Sequence, residues 1–319
     1  MTFAKKLKEY DHAAENTYII KHGEKALQPL NKPIKTTIII PAYNEESTIV
    51  SLVESLRSLD FDKEILVVND GSTDRTAELV RDMDGVRVIT HPYNKGNGAA
   101  VKTGITSATT ENIVVIDADG QHRPEDVAML IESLGDYDLV VGARTSKSDS
   151  GIFRDFGNWV FKRLGGFLAN RPVPDMTSGL RAFKKSQIVK FFNLYPNGFS
   201  FPTTSTMCFL IAGLSVKFTP ITSNRRIMGT SKIRPMKDGA KFIVMIFRIV
   251  MFNPLKVFLP VGFFSLLAGV IWSIRTIYLT SSISVGGLLL LVAGINLIFF
   301  GFISDQILAL RKDLNQRDL

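Results

Sequence analysis

The chain has 319 residues, of which 45% are hydrophobic and 21% charged, so it can bury the core of one large domain or two smaller ones. Its formal net charge of +8 favours an anionic partner, such as a nucleic acid, a phosphate-bearing substrate or an anionic lipid surface. A single cysteine, Cys208, excludes an intrachain disulfide framework and is typical of a reducing compartment.

Five apolar runs between residues 36 and 142 have the composition of strands that are buried on both faces. Helical segments separate these runs, and such alternation predicts an α/β fold with a mainly parallel sheet covered by helices on both faces. Ligands of such sheets bind beyond the carboxyl ends of the strands, so the residues that follow each strand are candidates for a site. The predicted strands are Thr36–Pro41, Glu64–Asp70, Val86–Thr90, Asn112–Asp117 and Asp138–Gly142, and the predicted helices are Glu46–Leu59, Thr73–Met83 with Ser72 as N-cap, Asn97–Ser107 and Pro124–Leu134.

Two long uncharged stretches near the C-terminus predict a membrane-spanning hairpin. Val257–Ile274 has 18 residues and Ile283–Ile303 has 21. As helices they would be about 27 and 31 Å long, which is enough to cross a hydrocarbon core. Two buried core helices are the alternative, but such helices usually carry a polar stripe, and Asn296 is the only amide in either stretch. A second copy of the chain could pack against the hairpin, which would give a homo-oligomer.

A basic segment precedes the hairpin. Residues 221–256 carry eight Lys/Arg and one acid, Asp238, and Lys237–Phe252 has helical apolar spacing, so we expect an amphipathic helix in the membrane interface. An excess of Lys/Arg beside a span marks the cytoplasmic side, which predicts that the α/β domain lies on the cytoplasmic face of a prokaryotic plasma membrane or of the ER. The predicted regions are a lead-in at 1–35, the α/β domain at 36–236, the interfacial helix at 237–254, the hairpin at 255–305 and a cytoplasmic tail at 306–319.

An acidic motif ends the fourth predicted strand. Gly120 permits the chain to turn directly after this motif, and a turn at this point would let the side chains of Asp117 and Asp119 converge. Carboxylate oxygens suit a hard cation such as Mg²⁺ or Mn²⁺ that is shared with phosphates, and the carbonyl group of Gln121 is nearby in sequence. For this motif alone, a solvated turn that caps the helix at Pro124 is an equal alternative.

Two other loops place acids and small residues at the same edge of the predicted sheet. Pro41–Glu46 follows the first strand and Val67–Thr76 includes the end of the second, where Gly71 lets a backbone approach closely. Asn94–Ala100 is a glycine-containing turn that enters a helix, which predicts either a phosphate contact or a plain βα turn. The sequence lacks GxGxxG after the first strand and GxxxxGK[ST] anywhere, so it supports neither a dinucleotide site nor a P-loop.

Taken together and in chain order, the motifs resemble those of the family-2 GT-A glycosyltransferases that act on polyprenyl phosphates, the dolichol-phosphate mannose synthase type. The resemblance covers about residues 36–254 and includes the hairpin that many members carry. It implies a GT-A, Rossmann-like sheet followed by an interfacial helix and a transmembrane hairpin. The motifs are PAYNEE, VVNDGSTDRT, NKGNG, DADGQHRPED, GAR, DMTSGLRAF at Asp175–Phe183 and RRIMGTSKIRP at Arg225–Pro235.

The resemblance implies transfer of a hexose from a nucleoside diphosphate sugar, of the UDP-glucose or GDP-mannose type, to a polyprenyl or dolichyl phosphate. The implied route is a metal-assisted single displacement with inversion. The acceptor phosphate is already anionic near neutral pH, so it can attack without a strong general base. One departure concerns the nucleobase pocket, where the acidic pair that often precedes Gly-Ser is Asn69-Asp70 in this chain.

The resemblance also implies roles for individual residues. Mg²⁺ or Mn²⁺ would be bound by Asp117, Asp119 and Gln121. The residues implied in binding the nucleotide sugar are Pro41, Tyr43, Glu45, Asp70, Lys95, Asp117, Arg226 and Lys232. The residues implied in catalysis are Asp119 at the metal, with Arg144, Arg154 and Ser178 at the acceptor phosphate.

Three other functions fit part of the sequence. A processive polysaccharide synthase of the same fold would carry a QxxRW motif, which this sequence lacks. A catalytically inactive, membrane-anchored nucleotide-sugar binding protein would not need Asp117, Asp119 and Arg144. A nucleic-acid binder would explain the positive charge but not the hairpin, so we expect no nucleic-acid partner. His91 and His122 lack ligand-like spacing and receive no role, and Trp159 is expected to be an apolar or interfacial anchor.

Overall fold

A computed structural model describes residues 35–144, 152–198, 200–222 and 235–317 of the chain. The chain divides into two compact units, Met1–Phe242 and Ile243–Leu319. The strands are β1 (Thr36–Ala42), β2 (Lys63–Asn69), β3 (Val86–Thr90), β4 (Asn112–Val115), β5 (Leu139–Arg144), β6 (Arg181–Lys184) and β7 (Val216–Ile221). The helices are α1 (Ile49–Arg57), α2 (Thr76–Arg81), α3 (Asn97–Ser107), α4 (Pro124–Leu134), α5 (Ile152–Ala169), α6 (Lys185–Ile188) with a 3₁₀ turn at Val189–Leu194, α7 (Phe201–Ile211), α8 (Pro235–Val250), α9 (Leu255–Thr280) and α10 (Val285–Arg317).

The described strands of the first unit form one sheet in the order β3-β2-β1-β4-β6-β5-β7. The central strand β1 pairs in parallel with both β2 and β4, as the strand–helix alternation predicted. Its residues Ile38, Ile39 and Ile40 have no exposed surface, and Leu66 of β2 and Val114 of β4 are equally buried. The runs in β1, β2, β4 and β5 are therefore strands covered on both faces, which confirms the predicted α/β fold. The edge strand β3 is only partly covered, so the prediction that this run is buried on both faces is wrong.

One strand, β6, runs against the others, and the sequence did not predict it. It lies between β4 and β5 and is antiparallel to both, with Arg181 opposite Val115 on one side and Val141 on the other. An antiparallel strand begins at the edge where its parallel neighbours end. The residues before β6, Asp175–Leu180, therefore lie at the carboxyl ends of β4 and β5, where the acidic motif lies.

Several predicted boundaries differ from the structure, and two of them bear on the loops at the carboxyl ends of the strands. β4 ends at Val115, so Asp117 lies in the following loop rather than in the strand. Helix α2 begins at Thr76, and the predicted N-cap at Ser72 is wrong. The Ser72 hydroxyl instead accepts a hydrogen bond from the Asn44 backbone N–H at 3.0 Å, while Asp74 Oδ1 accepts from the Thr76 N–H at 3.0 Å.

The second unit contains the predicted hairpin. Helices α9 and α10 are long and apolar enough to cross a membrane, with mean hydropathies of 2.1 and 2.3 in their most apolar parts. Glycines bring the two backbones together, because a Cβ at Gly262 would lie 2.9 Å from the carbonyl oxygen of Gly294. The Ser265 hydroxyl donates to the carbonyl oxygen of Leu290 across the same contact at 2.8 Å. Helix α10 continues to Arg317, through most of the region predicted as a tail.

Candidate active site

The chain turns directly after β4, and this turn sets the positions of the two aspartates. Gly120 has φ +71°, a left-handed conformation that glycine adopts without strain. Asp119 Oδ1 accepts a hydrogen bond from the Gln121 backbone N–H at 3.2 Å. The Thr48 hydroxyl donates to the carbonyl oxygen of Ala118 at 2.7 Å, which ties this turn to the loop before α1. The structure thus brings Asp119 and Gln121 together by the turn that the sequence predicted.

Asp117 lies against the loop that precedes β6. A Cβ placed on Gly179 would overlap the carboxylate of Asp117, so this approach requires glycine at position 179. Gly179 follows Ser178, which is fully buried and whose hydroxyl has no hydrogen-bond partner in the described structure. The acidic motif and the predicted acceptor residue Ser178 therefore lie in neighbouring loops at one edge of the sheet.

Arg144, the last residue of β5, forms a two-point ion pair with Asp175. Its Nε donates to Asp175 Oδ2 at 2.8 Å, and its Nη2 donates to Asp175 Oδ1 at 3.1 Å and to the Thr177 hydroxyl at 2.6 Å. Burial by itself lowers the pKa of the Arg144 guanidinium, but the charge and hydrogen bonds of Asp175, together with the charges of Asp117 and Asp119, outweigh burial and raise it. The carboxylates of Asp117 and Asp119 are close enough to Arg144 to act on its charge.

The Asp175 carboxylate is buried and strongly acidic. Burial by itself raises its pKa, but Arg144 and the surrounding N–H donors outweigh burial and lower the pKa to about 2. Its Oδ1 accepts the backbone N–H groups of Thr177 at 2.9 Å and of Ser178 at 3.1 Å. Asp175 therefore stays ionised at neutral pH and folds the loop before β6 around itself. The sequence motif contained Asp175, but no role was assigned to it.

A second arginine, Arg181, packs against the loop before β6 and has only 1% of its surface exposed. Its guanidinium donates to the carbonyl oxygen of Ser178, to that of Pro202 at 2.8 Å and to the Ser205 hydroxyl at 2.7 Å. Burial lowers its pKa to about 10, so it remains charged at neutral pH. Arg181 thus fixes the loop before β6 to the first turn of α7 and places a positive charge near Asp117.

His122 belongs to this cluster, although its sequence spacing gave it no role. It is 6% exposed, and its Nδ1 has no hydrogen-bond partner among the described residues. Burial lowers its pKa to about 4 in spite of the nearby charge of Asp119. His122 is therefore neutral at pH 7. Sequence spacing could not have found this position, because its burial arises only in the folded chain.

The loops after β1 and β2 hold each other by hydrogen bonds between side chains and backbone. Asn44 has a left-handed φ of +56°, and its Oδ1 accepts from the Thr73 N–H at 2.8 Å. The Glu45 N–H donates to the Thr76 hydroxyl at 2.8 Å, and the Glu46 N–H donates to Asp74 Oδ2 at 3.2 Å. These bonds place the predicted nucleotide residues Pro41, Tyr43 and Glu45 at the carboxyl end of β1, beside the end of β2.

Asp70, another residue predicted to bind the nucleotide, is 2% exposed, and both of its carboxylate oxygens already have hydrogen-bond partners within the protein. Its Oδ1 accepts from the Lys95 N–H at 2.9 Å and contacts His91 Nδ1 at 2.7 Å, and its Oδ2 accepts from the Gly96 N–H at 2.7 Å. Asp70 therefore holds the turn that carries Lys95. The Lys95 ammonium lies 5.8 Å from the centre of the Tyr93 ring.

Some predicted site residues lie outside the described structure. Arg226 and Lys232 lie in the undescribed segment 223–234. Arg154 lies in α5, but its side chain is not among those described. Among the described residues, the structure brings together Asp117, Asp119, Gln121, Arg144 and Ser178, while Pro41, Tyr43, Glu45 and Asp70 lie at the carboxyl ends of the neighbouring strands β1 and β2.

Comparison with known families identifies both parts of the chain. Residues 37–192 match the family described as Glycosyl transferase family 2, and residues 253–310 match the GtrB C-terminal hairpin. Among solved structures, glucosyl-3-phosphoglycerate synthase from Mycobacterium tuberculosis, in complex with Mn²⁺, UDP and phosphoglyceric acid, superposes with a TM-score of 0.56 at 20% identity. This match covers 68% of this chain and 78% of that one. It supports the predicted GT-A fold.

Several curated relatives have lipid-phosphate glycosyltransferase names. Polyprenol monophosphomannose synthase of Mycolicibacterium smegmatis is 31% identical, with 62% of this chain and 81% of that protein covered. UDP-N-acetylglucosamine--dolichyl-phosphate N-acetylglucosaminyltransferase of Methanococcus voltae is 33% identical, covering 47% and 70%. Glycosyltransferase AglJ of Haloferax volcanii is 28% identical, covering 89% and 97%. By these matches and by its fold, the chain belongs to glycosyltransferase family 2 and is a glycosyltransferase with a GtrB-type C-terminal hairpin.

Proposed function

We propose that this enzyme transfers a hexose from a nucleoside diphosphate sugar to a polyprenyl or dolichyl phosphate. One structural observation carries the proposal: Asp117, Asp119, Arg144 and Ser178 lie at one edge of the sheet, so groups suited to a diphosphate and groups suited to a second phosphate are neighbours. The lipid-phosphate names of several relatives and the C-terminal hairpin support a lipid as the carrier of that second phosphate.

The oxygen ligands at the acidic motif fit a divalent cation that is shared with the donor. In the described part of the chain, no group of three or more His, Cys, Asp or Glu side chains could hold a metal by itself. Asp117 and Asp119, with the carbonyl of Gln121, would therefore hold Mg²⁺ or Mn²⁺ together with diphosphate oxygens. When bound there, the cation supplies Lewis-acid stabilisation to the leaving diphosphate.

At the acceptor site, the enzyme has to position the phosphate group rather than remove a proton from it. A phosphate monoester is already anionic near neutral pH, so its oxygen can attack the anomeric carbon once it is held in line with the leaving group. Arg144, with Arg154 as a further candidate, would hold this phosphate, and the unpartnered hydroxyl of Ser178 can donate to it. His122 is neutral at pH 7 and so does not add charge to this side.

The donor is proposed only at the level of class. The relatives carry names for mannose, glucose and N-acetylglucosamine transfer, so they support a hexose of the UDP-glucose or GDP-mannose type without selecting one. Asn69, which stands where the family often has an acidic residue, stabilises the loop after β2, because its Oδ1 accepts a hydrogen bond from the Ser72 N–H at 3.1 Å. Lys95, Arg226 and Lys232 remain candidates for the donor diphosphate.

A membrane location suits both the hairpin and the first unit. Helix α5 presents Trp159, Arg163 and Phe167 on one exposed stripe, and the two aromatic residues are 51% and 54% exposed. Aromatic and basic side chains on one helix face suit a bilayer interface. The Lys/Arg excess before α9 supports a cytoplasmic location for the catalytic unit.

A screen of nucleotide sugars tests the proposed function. The full chain in detergent is incubated with Mn²⁺, a short polyprenyl phosphate and each donor in turn, and the products are identified by mass. We expect one donor to give a hexosyl polyprenyl phosphate with release of the nucleoside diphosphate. Donor hydrolysis without lipid product, or growth of a polysaccharide, would refute the proposal.

A further inference from the structure

The two residues proposed for the acceptor phosphate share one contact, the carboxylate of Asp175. Arg144 meets it side-on through Nε and Nη2 at 2.8 and 3.1 Å. This leaves Nη1 without a hydrogen bond to any described residue. The same carboxylate accepts the N–H groups of Thr177 and Ser178, which fixes the turn that carries the Ser178 hydroxyl.

The pair has little freedom to rearrange. Asp175 is 5% exposed, and it also accepts the Arg144 backbone N–H at 3.2 Å, so it holds both the main chain and the side chain of that residue. A guanidinium held at two points by a buried carboxylate keeps one orientation, because any other would leave a buried charge unpaired. The direction of Arg144 Nη1 is therefore set by Asp175.

The hydroxyl of Ser178 is the second polar group fixed by this carboxylate. Ser178 is completely buried, and its Oγ has no partner among the described residues, an arrangement that carries a free-energy cost unless a ligand completes it. An anionic oxygen accepting from Arg144 Nη1 and Ser178 Oγ would supply that partner.

We propose that Asp175 is the positioning residue of the acceptor site, setting Arg144 and Ser178 as a matched pair of donors for one phosphate group. The proposal rests on the acceptor role proposed above for Arg144 and Ser178. Asp175 itself repels phosphate and does not touch it, so it acts through its two neighbours. Its removal should weaken phosphate binding while leaving the donor side, formed by β1, β2 and the acidic motif, intact.

The test compares Asp175→Asn with Asp138→Asn in the full chain in detergent. Asp138 is a matched control, because its carboxylate also accepts from a backbone N–H and a hydroxyl, those of Ser215 at 2.9 and 2.7 Å, at the opposite end of β5. Calorimetry measures binding of farnesyl phosphate, with farnesol as the probe without a headgroup, and binding of UDP or GDP with Mn²⁺. Asp175→Asn should weaken farnesyl phosphate binding about tenfold, as expected for a charge-assisted hydrogen bond, and leave nucleotide binding within about twofold.

A double-mutant cycle with Arg144→Met separates positioning from a general structural role. Because Asp175 acts through Ser178 as well as Arg144, Asp175→Asn should weaken farnesyl phosphate binding clearly less in the Arg144→Met background, by about threefold rather than tenfold. An equal tenfold loss in both backgrounds would overturn the proposal. Asp175→Glu, which keeps the charge but displaces it, should show the same selective loss and serves if Asp175→Asn does not fold.

The other possible results of these measurements also test the positioning role of Asp175. Unchanged farnesyl phosphate binding by Asp175→Asn, or an equal loss of nucleotide binding, overturns the positioning role. The positioning role is also overturned if the wild-type chain binds farnesyl phosphate no better than farnesol. If the wild-type chain binds farnesyl phosphate selectively and Asp175→Asn abolishes this, but no donor yields a lipid-linked sugar, the positioning role stands and the proposed transfer fails.

Discussion

Gly179 lies so close to Asp117 that a Cβ at position 179 would overlap the carboxylate. The contact joins the acidic motif after β4 to the loop before β6, two segments that are about 60 residues apart in sequence. It places one proposed metal ligand against the loop that carries Ser178. The absence of a side chain at position 179 is therefore a geometric requirement of the site.

The variant Gly179→Ala should push the Asp117 carboxylate out of place. A displacement of about 1 Å at a reacting centre can cost about 100-fold in rate, so we expect a loss of that order in sugar transfer and a higher Mn²⁺ requirement. Steady-state assays across Mn²⁺ concentrations measure both. Gly198→Ala is the matched control, because no atom lies within 4 Å of a Cβ at that position. Normal transfer by Gly179→Ala would contradict the geometry.

Asp119→Ala should abolish transfer in a chain that still folds. Loss of a metal ligand removes several kcal/mol of charge stabilisation from the transition state. This corresponds to a rate that is lower by about 1000-fold or more. Circular dichroism and thermal unfolding check the fold, and product mass checks transfer. Asp60→Ala, at an exposed aspartate after α1, should behave as wild type. Near-normal transfer by Asp119→Ala with the metal chelated would exclude the site.

Asp175 should make stability depend on pH at the acidic end. Its pKa is about 2 in the folded chain against an ordinary value of 3.8, so the unfolded chain binds the proton more tightly. The contribution is complete above about pH 4 and is lost as the pH falls towards 2. By linkage it amounts to roughly 2 kcal/mol.

Denaturation midpoints from pH 7 to pH 2.5 measure this contribution. The difference between the wild-type chain and Asp175→Asn should be largest at neutral pH and shrink below about pH 4, because asparagine does not titrate. A difference that is constant over this range would show that the Asp175 pKa is not depressed.

The hairpin should depend on its glycine contacts. Gly294→Val would place side-chain atoms against the carbonyl oxygen of Gly262, since a Cβ alone would lie 2.8 Å from it. Overpacking of this kind costs about 1–3 kcal/mol, so thermal unfolding in detergent should occur at a lower temperature. Gly286→Ala is the control, because the nearest atom to its Cβ, on Trp272, is 3.6 Å away. Equal stability of the two variants would argue against this packing.

Much of the fold could be predicted because its signals are local. The bounds predicted for β3, α3 and α4 agree with the structure, since apolar runs, Gly-rich turns and a proline in a first helical turn act within a few residues. The two apolar stretches were recognisable as spans by length and composition alone. The acidic motif and its turn were recognisable for the same reason.

The direction of β6 and the partners of the buried charges could not be predicted. Arg181–Lys184 is only four residues long and carries no signal that distinguishes parallel from antiparallel pairing. Its antiparallel placement between β4 and β5 brings Asp175 to Arg144, 31 residues away in sequence. The burial of His122 depends in the same way on loops that meet only in the folded chain.

The sequence by itself determined the strand–helix alternation, the acidic turn after β4 and the apolar hairpin, because each depends on residues that are neighbours along the chain. Only the tertiary structure decided that Asp175 holds Arg144 and Ser178, that Gly179 admits Asp117 and that Asp70 holds the Lys95 turn. Such contacts arise from strand order and loop packing, and these are set by the free energy of the whole core rather than by local preference.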